Sequence, residues 1–343
     1  MTKDQGEFDA DILHIGIVGP YPGGMAQVLN GYLDWDFATV RVRAICSTAG
    51  KRDPWTILRI LYCFAYIVWF RFESRNRRLV VVHLSERGSF VREGILIVVS
   101  RCLGLRVVGH LHGANFVSFS QRYSWLVRFV LKRCAATFVL TQLSLREVER
   151  LGVADVRVVT NCVAVPDVPI EKAKLFLFGG EVGPRKGVDV LLSAWSRVDS
   201  RDWRLVIAGP ITAEVSQTML RTTGVEFLGA VSHADILKLQ ARALVAVLPS
   251  RDEALPMFLI EAMARSCAVI STRVGQIPEL VSNGSGILCR AGNVEDLSIA
   301  IKSMMVGDVA QSQGKRARLV VLDRFDASSV LPALERQWLD LSR

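Results

Sequence analysis

The stretch PSRDEALPMFLIEA, residues 249–262, places two carboxylates, Glu253 and Glu261, on either side of a proline that opens an apolar run. Pro256 suits a helix start, so the first acid falls on a loop and the second within the helix. The first turn, Met257, Phe258 and Leu259, offers backbone N–H groups that have no intrahelical partner and favour an anion. Glu261 lies some five residues beyond the helix start, roughly 7.5 Å along the axis. That spacing suits a sugar–diphosphate–nucleoside: phosphates at the helix start, ribose hydroxyls on Glu261, and hydroxyls of whatever the diphosphate carries on Glu253.

Three more loops carry comparable chemistry. In GPYPGGMAQVLNGYL, Gly23 and Gly24 precede a helical pattern and let backbone approach a ligand at a helix N-terminus. In LFLFGGEVGPRKGVDVLLSAW, Arg185 and Lys186 stand before Gly187 and a helix, two cations suited to a diphosphate. In HLHGANF, His110 and His112 lie two apart on a strand and point the same way. No third ligand is evident beside them, so no metal is expected. His112, with Gly113 opening space beside it, is read instead as a single imidazole hydrogen-bonding near a reacting sugar or phosphate.

These loops need a scaffold that aligns them. Twelve short, mostly β-branched runs recur along the chain: ILHIGIVG, VRVRAIC, LVVVHL, RVVGHLHG, TFVLT and VRVVTN, then LFLFGG, RLVIAG, VEFLG, LVAVLP, AVIST and GILC. Apolar strands alternating with helical patterns mean parallel sheets covered on both faces, and the series occurs twice. The expected fold is therefore α/β, with two facing doubly wound Rossmann-like domains and a central ligand cleft at the carboxyl ends of their strands. The first domain is drawn over 1–165 and the second over 174–324. The proline-rich segment 166–173 is the linker between them.

The 343 residues carry a net charge of +9, distributed unevenly. Residues 1–165 hold 21 Lys and Arg against 13 acids, net +8, and the remainder 21 against 20. A one-sided basic surface points to an anionic partner, whereas nucleic acid is disfavoured because no aromatic-basic recognition motif accompanies the charge. Within the basic half, WTILRILYCFAYIVWFRF, residues 55–72, is uninterruptedly apolar over only eleven residues, 60–70. As a helix these reach about 16 Å, half of a hydrocarbon core near 30 Å, and do not span it. The segment reads either as a helix in the lipid interface, with Arg75, Arg77 and Arg78 beside it, or as a helix packed against the sheet. Seven cysteines without CxxC spacing, together with a polar, acidic N-terminus, suggest reduced thiols and a cytoplasmic protein, peripheral at the inner face of the membrane.

Residues 249–281, PSRDEALPMFLIEAMARSCAVISTRVGQIPELV, resemble the nucleotide-sugar motif of retaining family 4 glycosyltransferases of the GT-B fold. The Gly-Gly loop, HLHG and GPRKG follow in that family's order. The resemblance implies metal-independent transfer of a sugar from a nucleoside diphosphate sugar, with retention and no further cofactor, of the surface-polysaccharide type. It implies Gly24 near the donor phosphates, His112 at the transferred sugar, Lys186 at the diphosphate, Glu253 at the sugar hydroxyls and Glu261 at the ribose. Glu279 supports the motif, and VLPALERQWLDL, residues 330–341, matches the family's C-terminal helix, so 325–343 is expected to pack back on the first domain. His110, Arg75, Arg77 and Arg78 are the candidates for the side of a lipid-linked or glycan acceptor, with peripheral contact to an anionic leaflet. Departures are Glu181 where the family usually has Arg, with Arg185 as its substitute, and Ala254, Ser266 and Gln276 in place of glycines. The alternatives are a catalytically silent nucleotide-sugar or glycan-binding partner subunit, and a nucleotide-sugar epimerase, which would want more carboxylates and histidines than are evident.

Overall fold

The computed structural model describes residues 8–21, 23–50, 53–73, 76–167, 171–212 and 222–343. Arg75 lies outside the described residues. The chain forms two compact units, one running to Asn161 and including Ser328–Arg343, the other Cys162–Ala327.

Each unit is built on one parallel sheet. The first sheet contains β1 (Ala10–Gly16), β2 (Val40–Cys46), β3 (Arg77–Leu84), β4 (Arg106–Leu111), β5 (Ala136–Val139) and β6 (Val156–Val158) in the order β2-β1-β3-β4-β5-β6. Between them run helices α1 (Gly24–Asp34), α2 (Thr56–Glu73), α3 (Gly88–Cys102), α4 (Phe116–Arg122), α5 (Ser124–Leu131) and α6 (Gln142–Arg150). The second unit has β7 (Ala173–Gly179), β8 (Arg204–Ala208), β9 (Val225–Gly229), β10 (Ala243–Leu248), β11 (Ala268–Thr272) and β12 (Gly286–Cys289) in the order β12-β11-β10-β7-β8-β9. Its described helices are α7 (Val188–Trp195), α8 (His233–Arg242), α9 (Met257–Ala264), α10 (Ile277–Leu280), α11 (Val294–Met304) and α12 (Val309–Arg324). All twelve apolar runs of the sequence have become strands.

Both strand orders reverse direction once. The chain moves from β1 outward to β2 and then returns to β3 on the other side; in the second unit it goes from β7 through β8 to β9 and returns to β10. Such a switch point leaves a crevice at the carboxyl ends of the two central strands, where ligands of open α/β sheets bind. The loops after β1, β7 and β10 therefore lie where the fold invites a ligand.

Helix α2 packs against the sheet, the second of the two readings of its sequence. Cys63, Ile67 and Phe70, at helical spacing, are fully buried in the core beneath it with Val80, Val82 and Phe90. Its outward side is also apolar: Ile57 and Phe72 are each 74% exposed, and Leu58, Leu61, Tyr62 and Trp69 are exposed as well. No helix among the described residues is long and apolar enough to cross a membrane.

The opposite face of the first sheet is closed by α1 and α13 (Ala327–Ser342). Trp338 is 1% exposed and its ring meets those of His14, Tyr32 and Phe37 at 4.9, 5.4 and 5.3 Å between centroids. Glu335 anchors the same helix: its Oε1 accepts from the Thr39 hydroxyl and from the Thr39 and Val40 amides at 2.8, 2.5 and 3.1 Å. Trp338→Ala should cost about 3–5 kcal/mol, as large-to-small changes at buried aromatics do. Urea denaturation checks this; a change below about 1 kcal/mol would show that α13 is not part of the folded core.

Candidate active site

In the second unit two loops flanking the switch point are tied to each other. After β7 the chain passes Gly180 and Glu181, makes a 3₁₀ turn at Pro184–Lys186 and enters α7 through Gly187. Gly187 has φ 75°, and a Cβ there would stand 2.0 Å from the Pro249 carbonyl oxygen, so only glycine permits this approach of the two loops. The Arg251 amide donates to the Arg185 carbonyl at 2.9 Å, and its guanidinium donates to both oxygens of Asp189 at 2.8 and 2.7 Å. That bidentate bond holds the Asp189 carboxyl below its ordinary range.

Lys186 and Glu253 meet inside this frame. The Lys186 ammonium donates to Glu253 Oε1, and the Ser250 hydroxyl donates to the same oxygen at 2.8 Å. Glu253 is 8% exposed, and a carboxylate so buried requires such partners. Its backbone is fixed too. Gly275, at φ 53°, brings its Cα so close that a Cβ would lie 1.9 Å from the Glu253 carbonyl oxygen. Arg185 is exposed and reaches only the Asp252 carbonyl, at 3.4 Å. Glu181 is exposed.

Pro256 caps α9 rather than opening it, and Met257 is the first helical residue. Of the three amides read as anion donors, that of Leu259 already donates to the Pro256 carbonyl at 3.1 Å. The expectation is corrected on that point: Met257 and Phe258 are left to provide the helix N-terminus. The Phe258 ring packs against Gly179, where a Cβ would come within 2.4 Å of it. Glu261 is 4% exposed, accepts from His233 Nε2 at 2.8 Å on Oε1, and has no hydrogen-bond partner on its buried Oε2 among the described residues. A buried carboxylate oxygen left unpaired is unusual and suits a hydroxyl donated by a ligand. Glu279 lies in the first turn of the short α10 and is exposed.

In the first unit Gly23 caps α1 at φ 121° and Gly24 is its first residue. His110 is buried within β4, and His112 follows the strand, half-buried, its amide donating to the Leu84 carbonyl at 2.8 Å. The absence of a third metal ligand is overturned. Register pairs His83 of β3 with His110 of β4, and His83, His110 and His112 have ring nitrogens all within 4.8 Å of one another. His83 Nδ1 lies 2.8 Å from His112 Nε2, and His83 Nε2 lies 2.9 Å from His14 Nδ1. Burial pushes His14 and His112 down to about 3 and, with their charged-form neighbours, His83 and His110 well below the ordinary imidazole range.

Arg77 and Arg78 are not near these histidines. They open β3 while His83 is its penultimate residue, six residues beyond Arg77, or roughly 20 Å at strand spacing. Their grouping with His110 as one acceptor side is thus not what the sheet gives, because adjacency in sequence along a strand becomes distance across it.

Residues 173–306 match the family described as glycosyl transferases group 1. The match lies wholly within the second unit. Over the whole chain the fold is similar to sucrose-phosphate synthase from Thermosynechococcus elongatus, with TM-score 0.74, 16% identity, and 96% and 98% of the two chains covered. It is also similar to Anabaena HepE solved with UDP, with TM-score 0.71, 18% identity, and 96% and 99% covered. The fold is therefore GT-B. Among curated relatives, an uncharacterized glycosyltransferase of Methanocaldococcus jannaschii is 32% identical over 132 residues, 38% of this chain and 37% of that protein. Glycogen synthase of Mycobacterium tuberculosis is 28% identical over 239 residues, 64% of this chain and 56% of that protein. The chain thus spans about half the length, or less, of these relatives.

Sequence reasoning missed His233, Ser250 and Arg251. His233 follows a capping serine at the start of α8, a signal for a helix and not for a partner of Glu261. The Glu261 carboxylate raises the His233 imidazole above its ordinary value of about 6.5. Stability from this pair is complete below about pH 6.5 and is lost as the pH rises through the higher folded value. NMR titration of the His233 ring should give a midpoint above about 6.5 that drops in Glu261→Gln. An unchanged midpoint in that variant would show that the two side chains are not coupled.

Proposed function

We propose that the chain is a metal-independent, retaining glycosyltransferase that moves a sugar from a nucleoside diphosphate sugar to a hydroxyl of a lipid-linked or glycan acceptor, in surface-polysaccharide assembly. The observation that carries this reading is the row formed by Lys186, Glu253 and Glu261 at the switch point of the second unit: a cation, the N-terminus of α9, and a buried carboxylate oxygen awaiting a hydroxyl. The match to glycosyl transferases group 1 spans the same residues, and HepE, of the same fold, binds UDP.

The chemistry asked of the protein is electrostatic. As the bond from the anomeric carbon to the diphosphate oxygen breaks, the acceptor oxygen bonds to that carbon on the same face. The acceptor proton passes to a diphosphate oxygen. Lys186, with the exposed Arg185 and the Met257 and Phe258 amides, stabilises the charge growing on the leaving diphosphate. Glu253 holds the Lys186 ammonium in place and is placed to accept from the sugar hydroxyls. No cofactor beyond the sugar nucleotide enters these steps.

Supporting a lipid-linked acceptor is the outer side of α2, where exposed Ile57, Trp69 and Phe72 lie in the half of the chain that carries net +8. Apolar side chains amid basic charge suit the interface of an anionic leaflet, with the protein peripheral at the cytoplasmic face.

A thermal-shift panel of nucleoside diphosphate sugars identifies the donor, and transfer is then measured with it. Lys186→Ala should lower kcat about 10²–10³-fold, the usual loss for one preorganised donor, measured on protein that circular dichroism shows to be folded, since losing the cation beside buried Glu253 also costs stability. Undiminished turnover would remove Lys186 from the mechanism. In flotation assays the protein should bind anionic vesicles at low salt and be released as salt rises, and Trp69→Ser with Phe72→Ser should weaken binding. A protein that stays in solution at low salt has a soluble acceptor.

A further inference from the structure

In the first unit four histidines cluster, and of these the family resemblance gives only His112 a place at the transferred sugar. Strand register places His83 beside His110, and His112 lies two residues beyond on the same side of the sheet. Gly16 makes room for this arrangement, since a Cβ there would come to 3.0 Å from the His83 Cβ. We propose that His83, His110 and His112 form a binding site for a divalent transition metal, with zinc the metal that three imidazoles fit best.

The ligand set and its surroundings carry this assignment. Three histidines with a fourth position left to water or an anion are a common zinc arrangement. Around a tetrahedral zinc at about 2.0–2.1 Å, ligand nitrogens stand about 3.4 Å apart, so the close pair opens by about half an ångström and the widest closes by at most about 1.4 Å. The present spacings are 2.8 Å for His83 to His112 and no more than 4.8 Å for any pair. His110 is 2% exposed and its Nε2 has no hydrogen-bond partner among the described residues, a polar atom that the protein alone leaves unused. With Nδ1 of His83 on the metal, its Nε2–H donates to His14 Nδ1 at 2.9 Å, the outer bond that fixes tautomer and ring orientation in such sites. His14 is in turn held edge-on by Trp338. Counter-charge is at hand: a Cβ on Gly113, next to His112, would stand 1.9 Å from Glu86 Oε2. His112 is the half-buried member of the three and so marks the side from which metal and fourth ligand enter.

The site belongs wholly to the first unit, and its test needs no sugar nucleotide. The full-length chain, stripped with chelator, is titrated with Zn²⁺ against a chromophoric competitor. One equivalent should be retained. His83→Gln and His110→Gln should each weaken it by at least about 100-fold, and His14→Gln, which touches only the outer bond, by about 10–100-fold, with near-UV circular dichroism unchanged. The seven thiols are all free and compete for zinc, so Co²⁺ substitution supplies a second readout: visible bands of a nitrogen site without thiolate charge transfer. That spectrum decides the matter even if the glutamine variants fail to fold. Failure of the wild-type chain to retain metal, a thiolate spectrum, or unchanged affinity in both folded variants would overturn the proposal and leave the cluster a hydrogen-bonded network of neutral imidazoles.

Discussion

The switch point of the second unit depends on one buried ion pair, Lys186 with Glu253. A carboxylate at 8% exposure is costly to ionise without a partner, and a cation beside it is costly to remove. The pair joins the loop after β7 to the loop after β10, the two segments on either side of the strand reversal. Arg251 repeats the link from the other direction through Asp189 and the Arg185 carbonyl. Gly187 and Gly275 allow the backbones to come close enough for both links. A cation held this way is already oriented and partly desolvated, and under the function proposed above it would need little reorganisation to meet an anion.

Both units pair buried acids with arginine or lysine, as Asp11 with Arg41 in the first, but the clusters at their strand ends differ. In the second, charges are paired: Lys186 with Glu253, Arg251 with Asp189, His233 with Glu261. In the first, burial lowers the pKa of His14, His83, His110 and His112, and His83 bonds through its two ring nitrogens to His14 and His112. Neutral imidazoles donate lone pairs; ion pairs present charge. The same GT-B framework thus places a set of imidazoles at the strand ends of one sheet and a set of paired charges at those of the other.

The sequence made the strands legible because each is a short apolar run bounded by turn residues, a pattern that depends only on local burial. It also made Glu253 and Lys186 legible as an acid and a cation on the loops after strands, and Glu261 as an acid in the helix that follows. What it could not convey was lateral order. His83 is the penultimate residue of the run LVVVHL, and nothing local says that β3 lies beside β4, so its partnership with His110 was invisible. Arg77 and Arg78 misled for the converse reason: they follow the aromatic segment closely in the chain, yet they start strand β3, at the opposite end of the strands from His110. The Leu259 amide was misread because Pro256 became the cap, moving the helix start by one residue and letting the proline carbonyl claim that N–H.

Helix α13 gives the first unit an unusual dependence on time. Its Trp338 fills the space against His14, Tyr32 and Phe37, and Glu335 secures the edge of β2 through Thr39 and Val40. On the ribosome those residues emerge only after the whole of Cys162–Ala327, so at about 5–20 residues per second the nascent first unit waits roughly 10–30 s with that seat empty. Until then the aromatic floor beneath its histidines is open to water, and the unit that begins synthesis first is the one that finishes folding last.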